Sequence, residues 1–81
     1  MDTRSNTARR EDLAAALRAA LAMRNINTAD LARLMVGRLS KSTVYRYWNG
    51  SRDITLDDLE AICEATGVDL WTLLRFALKR D

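Results

Sequence analysis

Histidine and proline are absent from this chain, cysteine occurs once and glycine three times in 81 residues. Without histidine the chain lacks the commonest metal ligand and the commonest general base, so nothing in it points to an enzyme, and no cofactor or metal is expected. A lone cysteine, Cys63, can form no internal disulfide, and a reducing compartment is its simplest setting. No apolar run approaches the roughly 20 residues that a membrane-spanning helix needs. The opening stretch MDTRSNTARR has no apolar centre of the kind a secretory signal carries. No membrane partner is expected. With no proline and little strand-like alternation, helices have to carry the fold.

What is present fits a small folded domain. Hydrophobic residues make up 48% and charged residues 30% of the chain, a balance too apolar for a disordered chain. The net charge of +2 hides a division. Residues 1–52 hold ten Lys or Arg against four Asp or Glu, whereas residues 53–81 hold three against seven. A basic part beside an acidic part suggests one face that meets a polyanion and another that stays solvated or meets a protein.

The apolar spacing predicts an all-α bundle of about five short helices. Leu13, Ala16, Leu17, Ala20 and Leu21 recur at helical intervals, which predicts a first helix over 8–24, broken by Asn25-Ile26-Asn27. Asn27 or Thr28 can cap a second helix with Leu31, Leu34 and Met35 inward, ending before Gly37. Ser40 can cap a third over 41–49, closed by Gly50. Thr55 caps a fourth with Leu56, Leu59, Ile62 and Cys63 inward, and Asp69 opens a fifth carrying Leu70, Leu73, Leu74, Ala77 and Leu78. Lys79 and Arg80 fall in its last turn, the end of a helix that favours cations. Residues 1–10 read as a flexible basic arm and 11–81 as the folded domain. Arg4, Arg9 and Arg10 either track a nucleic-acid backbone or minor groove or serve solubility alone.

The third helix carries the functional signal. With Val44 toward the core, Trp48 lies about 40° to one side and Tyr47 about 60° to the other, an inward stripe. The opposite face presents Ser42, Arg46 and Asn49, flanked by Thr43 and Tyr45, and Lys41 sits in the first turn with a stem long enough to reach outward. Short hydroxyls, an amide, an aromatic and two cations can bond bases and phosphates. No Asp or Glu occurs in the 22 positions between Asp30 and Asp53, where a phosphate backbone would repel one. The base-facing candidates are Lys41, Ser42, Thr43, Tyr45 and Arg46. The phosphate candidates are Asn27 and Thr28 at the mouth of the second helix, Ser40 at that of the third, Arg38 in the turn, and Asn49, Ser51 and Arg52.

From Ile26 to Leu74 the stretches INTADLARLM, SKSTVYRYWNG and TLDDLEAICEATGVDLWTLL resemble the phage repressor and Cro-like helix-turn-helix family, of the xenobiotic-response-element type. The resemblance implies a lambda-repressor-like fold and a transcriptional regulator that binds double-stranded DNA operators, usually as a symmetric dimer. It implies bases for Lys41, Ser42, Tyr45 and Arg46, and phosphates for Thr28, Ser40 and Asn49. The sequence departs from the family in two places. The turn VGRLS is about two residues longer than the family's. The family's frequent pairing of an arginine in the first helix with a glutamate in the recognition helix falls on Leu21 and Trp48, so an apolar contact is expected to replace an ion pair.

The fifth helix has surplus apolar bulk, which leaves Trp71 or Phe76 partly exposed. That surface of helix 69–79 is expected either to pair two copies or to dock onto a further C-terminal domain. Two alternatives to a phage-type repressor or Cro-like protein remain open. One is the antitoxin of a toxin–antitoxin pair, and the other a protein-interaction module on the same scaffold, which would ordinarily show larger apolar anchors on its third helix. The setting expected is the cytoplasm of a bacterium or a phage-infected host cell.

Overall fold

The computed structural model describes residues 3–78, and the side chains of residues 10–77. The described residues form α1 (Thr3–Ala22), α2 (Thr28–Leu34), α3 (Lys41–Trp48), α4 (Leu56–Thr66) and α5 (Leu70–Leu78), with no strand among them. The side chains of Arg4 and Arg9, and residues Lys79 and Arg80, lie outside that description. α1 starts at Thr3 and not at the expected position 8, because TRSNTARR holds neither glycine nor proline to stop a helix. It ends at Ala22, two residues early. Asn25 adopts φ +60°, with Ile26 N–H donating to Leu21 O at 2.9 Å and Asn25 N–H to Ala22 O at 3.0 Å. These paired bonds form a Schellman motif, and asparagine is among the few side chains that tolerate the left-handed conformation it requires.

The expected caps are in place. Asn27 accepts from Asp30 N–H at 2.8 Å while the Asp30 carboxylate accepts from Asn27 N–H, a reciprocal capping box. Ser40 Oγ accepts from Thr43 N–H at 3.1 Å, Thr55 Oγ1 from Asp58 N–H at 3.1 Å, and Asp69 from Thr72 N–H at 3.0 Å. The long turn between α2 and α3 is a bonded structure. Met35 O accepts from both Arg38 N–H and Leu39 N–H, at 2.9 and 3.0 Å, with Gly37 at φ +89°.

The core gathers one stripe from each helix: Leu17 and Leu21 of α1, Leu31 of α2 with Met35 behind it, Val44 and Tyr47 of α3, Ile62 and Cys63 of α4, and Leu73 of α5. α1 is the axis of the bundle, packing against both α5 and α3. Cys63 is buried as a small apolar residue, and the desolvation raises its thiol above the ordinary value of 9.0, with Asp69 and Glu60 adding to the effect. Two residues expected in the core are outside it. Leu34 is 46% exposed and Leu56 61% exposed. α2 is only two turns long and meets its neighbours along the Leu31–Met35 line, about 80° round the helix from Leu34. Leu56 is the first residue of α4, one turn ahead of Leu59, where packing begins. No described helix is long and apolar enough to cross a membrane.

Leu17 is fully buried at the centre of this core. Leu17→Ala is expected to lower stability to urea by about 2–5 kcal/mol. Leu34→Ala is expected to stay within about 0.5 kcal/mol of the parent. Denaturation monitored by circular dichroism separates the two.

Candidate nucleic-acid interface

α3 is eight residues long and owes its orientation to what it buries. Val44 and Tyr47 have no exposed surface and Trp48 packs half-buried against the same core. Tyr47 also donates its hydroxyl proton to the Asp58 carboxylate of α4. Burial and then the Asp58 carboxylate push the Tyr47 phenol above its ordinary value of 10.0. The Arg52 guanidinium, 5.9 Å over the ring, opposes them.

The helix therefore turns Lys41, Ser42, Arg46 and Asn49 to solvent, with Tyr45 40% exposed and Thr43 half-buried. Among the described residues, the side chains of Lys41, Ser42 and Arg46 make no hydrogen bond or ion pair. Several neighbouring cations are engaged. Arg33 pairs with Asp30, Arg38 with Glu64 at 3.1 Å, and Arg10 Nε lies 2.9 Å from Asp53. The outer face of α3 is thus a hydroxyl and two cations with unused donors, in a stretch without acids.

The other candidates divide. Ser40 spends its hydroxyl on Thr43, accepting the amide proton and donating to Thr43 Oγ1 at 2.9 Å. Asn49 shapes the turn. Its Oδ1 accepts from Ser51 N–H at 3.1 Å and from Ser51 Oγ at 2.8 Å, which leaves the NH₂ group as the donor on offer. Arg52 is exposed but held near the Tyr47 ring, so it stays beside the C-terminal end of α3. Lys41 and Tyr45 lean toward α2, where they line a shallow notch with Ala29, Ala32 and Arg33. Asn27 and Thr28 sit at the α2 N-terminus, where the Asp30 carboxylate already occupies the Asn27 amide. Arg38 is not gathered with the rest, since its partner lies in the last half of α4.

One residue was missed by sequence reasoning. Arg18 of α1 donates from Nη1 to Trp48 O at 2.6 Å. The expected replacement of an ion pair by apolar packing holds to the extent that Leu21 is buried and Trp48 packs on the same core. The polar link between the two helices lies elsewhere, one turn along α1 and onto main chain. A single arginine flanking an alanine-rich apolar stripe was the available signal.

No group of three or more His, Cys, Asp or Glu that would hold a metal occurs among the described residues. A family model for the Cro/C1-type HTH DNA-binding domain matches residues 16–78. The chain belongs to that family, and it is a helix-turn-helix DNA-binding domain. No individual curated protein and no solved structure matches it.

The raised Cys63 and Tyr47 values make a pH prediction. Each group holds its proton to higher pH folded than unfolded, so the folded chain binds more protons in that interval. Their contribution is full below pH 9.0 and is lost as pH climbs beyond it, first through Cys63 and then, past 10.0, through Tyr47. Urea midpoints measured from neutral pH upward should decline above this point, and Cys63→Ala should delay the onset.

Proposed function

We propose that the chain is a sequence-specific transcriptional regulator, of the repressor or Cro-like kind, that lays α3 in the major groove of double-stranded DNA. The observation that carries this reading is the outer face of α3, where Ser42 and Arg46 stand free of partners directly behind the buried Val44 and Tyr47. An arginine with an unspent guanidinium can form two parallel bonds to guanine, and a serine can bond either base or phosphate. Lys41, Thr43 and Tyr45 flank this pair. Thr28, Ser40, Asn49, Ser51 and Arg52, with Asn27 in a lesser part, are the residues for the phosphates that set register. Arg38 joins them only by exchanging Glu64 for a phosphate. Arg10, tied to Asp53, and the other arginines of residues 1–10 are the candidates for a backbone arm.

Random-site selection followed by a salt titration tests the reading. A defined motif should emerge, with log affinity falling steeply as log salt rises. Absence of any enriched motif would contradict sequence specificity, and a flat salt response would contradict DNA binding. Arg46→Ala should relax preference at one base position at a cost of about 1–3 kcal/mol, while Arg52→Ala should weaken all sequences alike and reduce the salt slope by about one.

A second reading concerns the other side of the domain. Trp71 is 71% exposed on the side of α5 opposite the buried Leu73, and Phe76, about 140° round the helix from it, is 38% exposed. The exposed side of α5 suits a protein contact, whether a second copy, a further domain or a toxin held by an antitoxin. Sedimentation of the chain with and without its selected duplex should show a dimer that Trp71→Ala dissociates. A monomer under both conditions at high micromolar concentration would contradict self-pairing.

A further inference from the structure

An α-helix leaves its last four carbonyls without intrahelical donors. In α3 these belong to Tyr45, Arg46, Tyr47 and Trp48. The following turn closes three of them. Asn49 N–H donates to Tyr45 O at 3.1 Å, Ser51 N–H to Arg46 O at 3.0 Å, and Gly50 N–H to Tyr47 O at 3.3 Å. The fourth, Trp48 O, is taken by the Arg18 guanidinium at 2.6 Å, from 30 residues away in the chain and in a partly buried setting.

We propose that Arg18 is a positioning residue for DNA recognition, fixing the tilt at which Ser42 and Arg46 are presented. This rests on the reading of α3 as the DNA-contacting helix. A recognition face has to be held within about 0.5 Å and 10–20° of its productive geometry. The buried Val44 and Tyr47 set the rotation of α3 about its axis, and the Ser40 cap is internal to the helix and its mouth. Tyr47 pins the last turn of α3 to α4 through Asp58, but neither it nor the cap fastens that end to α1. That end lies directly on α1: a Cβ added at Gly50 would come within 3.4 Å of Ala14 Cβ and 3.8 Å of Glu11 Cα. Arg18 is the polar fastening at this junction. Its bond is charge-assisted and short, its planar fork constrains direction as well as distance, and its cation sits at the negative end of the α3 dipole. Because the acceptor is main chain, the fastening acts on the helix backbone and so on every side chain the helix carries.

The test compares the full chain with Arg18→Met, which keeps the apolar stem and removes the donors, and Arg18→Lys, which keeps a donor. Affinities are measured for the selected motif duplex and for a scrambled duplex of equal length, beside urea denaturation of each variant. Arg18→Met should lose about tenfold in affinity for the motif duplex. It should stay within about twofold on the scrambled one, because non-specific binding rests on charge attraction that needs no base register. Arg18→Lys should recover much of the loss. Equal motif affinity in Arg18→Met and the parent, or a fall on both duplexes that follows the folded fraction, would overturn the proposal. If Arg18→Met does not fold, the backbone amide shifts of Ser42 and Arg46 decide in Arg18→Gln, whose shorter, uncharged side chain gives up the charge-assisted bond to Trp48 O. Their movement, together with the Trp48 carbonyl carbon, supports a change of pose, and unmoved amides overturn it. A parent chain that binds no motif would instead contradict the DNA reading, and this inference with it.

Discussion

Everything on the outer surface of α3 follows from the burial of Val44 and Tyr47. A helix advances about 100° per residue, so once these two side chains are sealed in the core, Ser42 and Arg46 have no choice but to face away from it. Tyr47 strengthens the constraint because it is not only apolar. Its ring fills the core and its hydroxyl reaches Asp58, so the helix is pinned to α4 through the same residue that packs it. A phenol that is buried but bonded suffers little of the cost of a buried polar group.

The uneven charge of the chain is also put to use inside the molecule. Among the described residues, the acidic second part fastens the basic first part at three places: Asp53 beside Arg10, Asp58 to Tyr47, and Glu64 to Arg38. Both ion pairs are worth little in stability: Arg38–Glu64 is exposed and screened by solvent, and Arg10–Asp53 joins a part-buried guanidinium, whose Nε makes no hydrogen bond, to an exposed carboxylate. Their consequence lies in selection. They occupy Arg10 and Arg38, while Lys41 and Arg46 are left with their donors unspent on the face that would meet a polyanion. The third and fourth helices thereby divide the work, one acidic and inward-linking, the other basic and outward.

The helices and their caps were legible because local chemistry decides them. Asn27, Ser40, Thr55 and Asp69 each accept the amide proton three residues on, and Asn25 ends α1. The outward face of α3 was legible from periodicity alone, because Val44 and the aromatics at 47 and 48 define the inside. Three features were not. Leu34 and Leu56 carry the right spacing for the core, but spacing gives direction within a helix and not whether another helix lies there. The engagement of Arg38 by Glu64 and of Trp48 O by Arg18 spans 26 and 30 residues, and no local pattern encodes such pairings. The start of α1 at Thr3 was missed because polar residues mark no boundary by themselves when neither glycine nor proline is near.

The solvent face of α3 is proposed as the surface that reads DNA. Amide chemical-shift mapping of the isotopically labelled chain, titrated with its selected duplex, tests it most directly. The largest changes should fall on Ser42, Tyr45, Arg46 and Asn49, with smaller ones at Thr28 and Arg52 and little along the outer surface of α5. Changes concentrated on α4 and α5, with α3 unmoved at saturation, would contradict it.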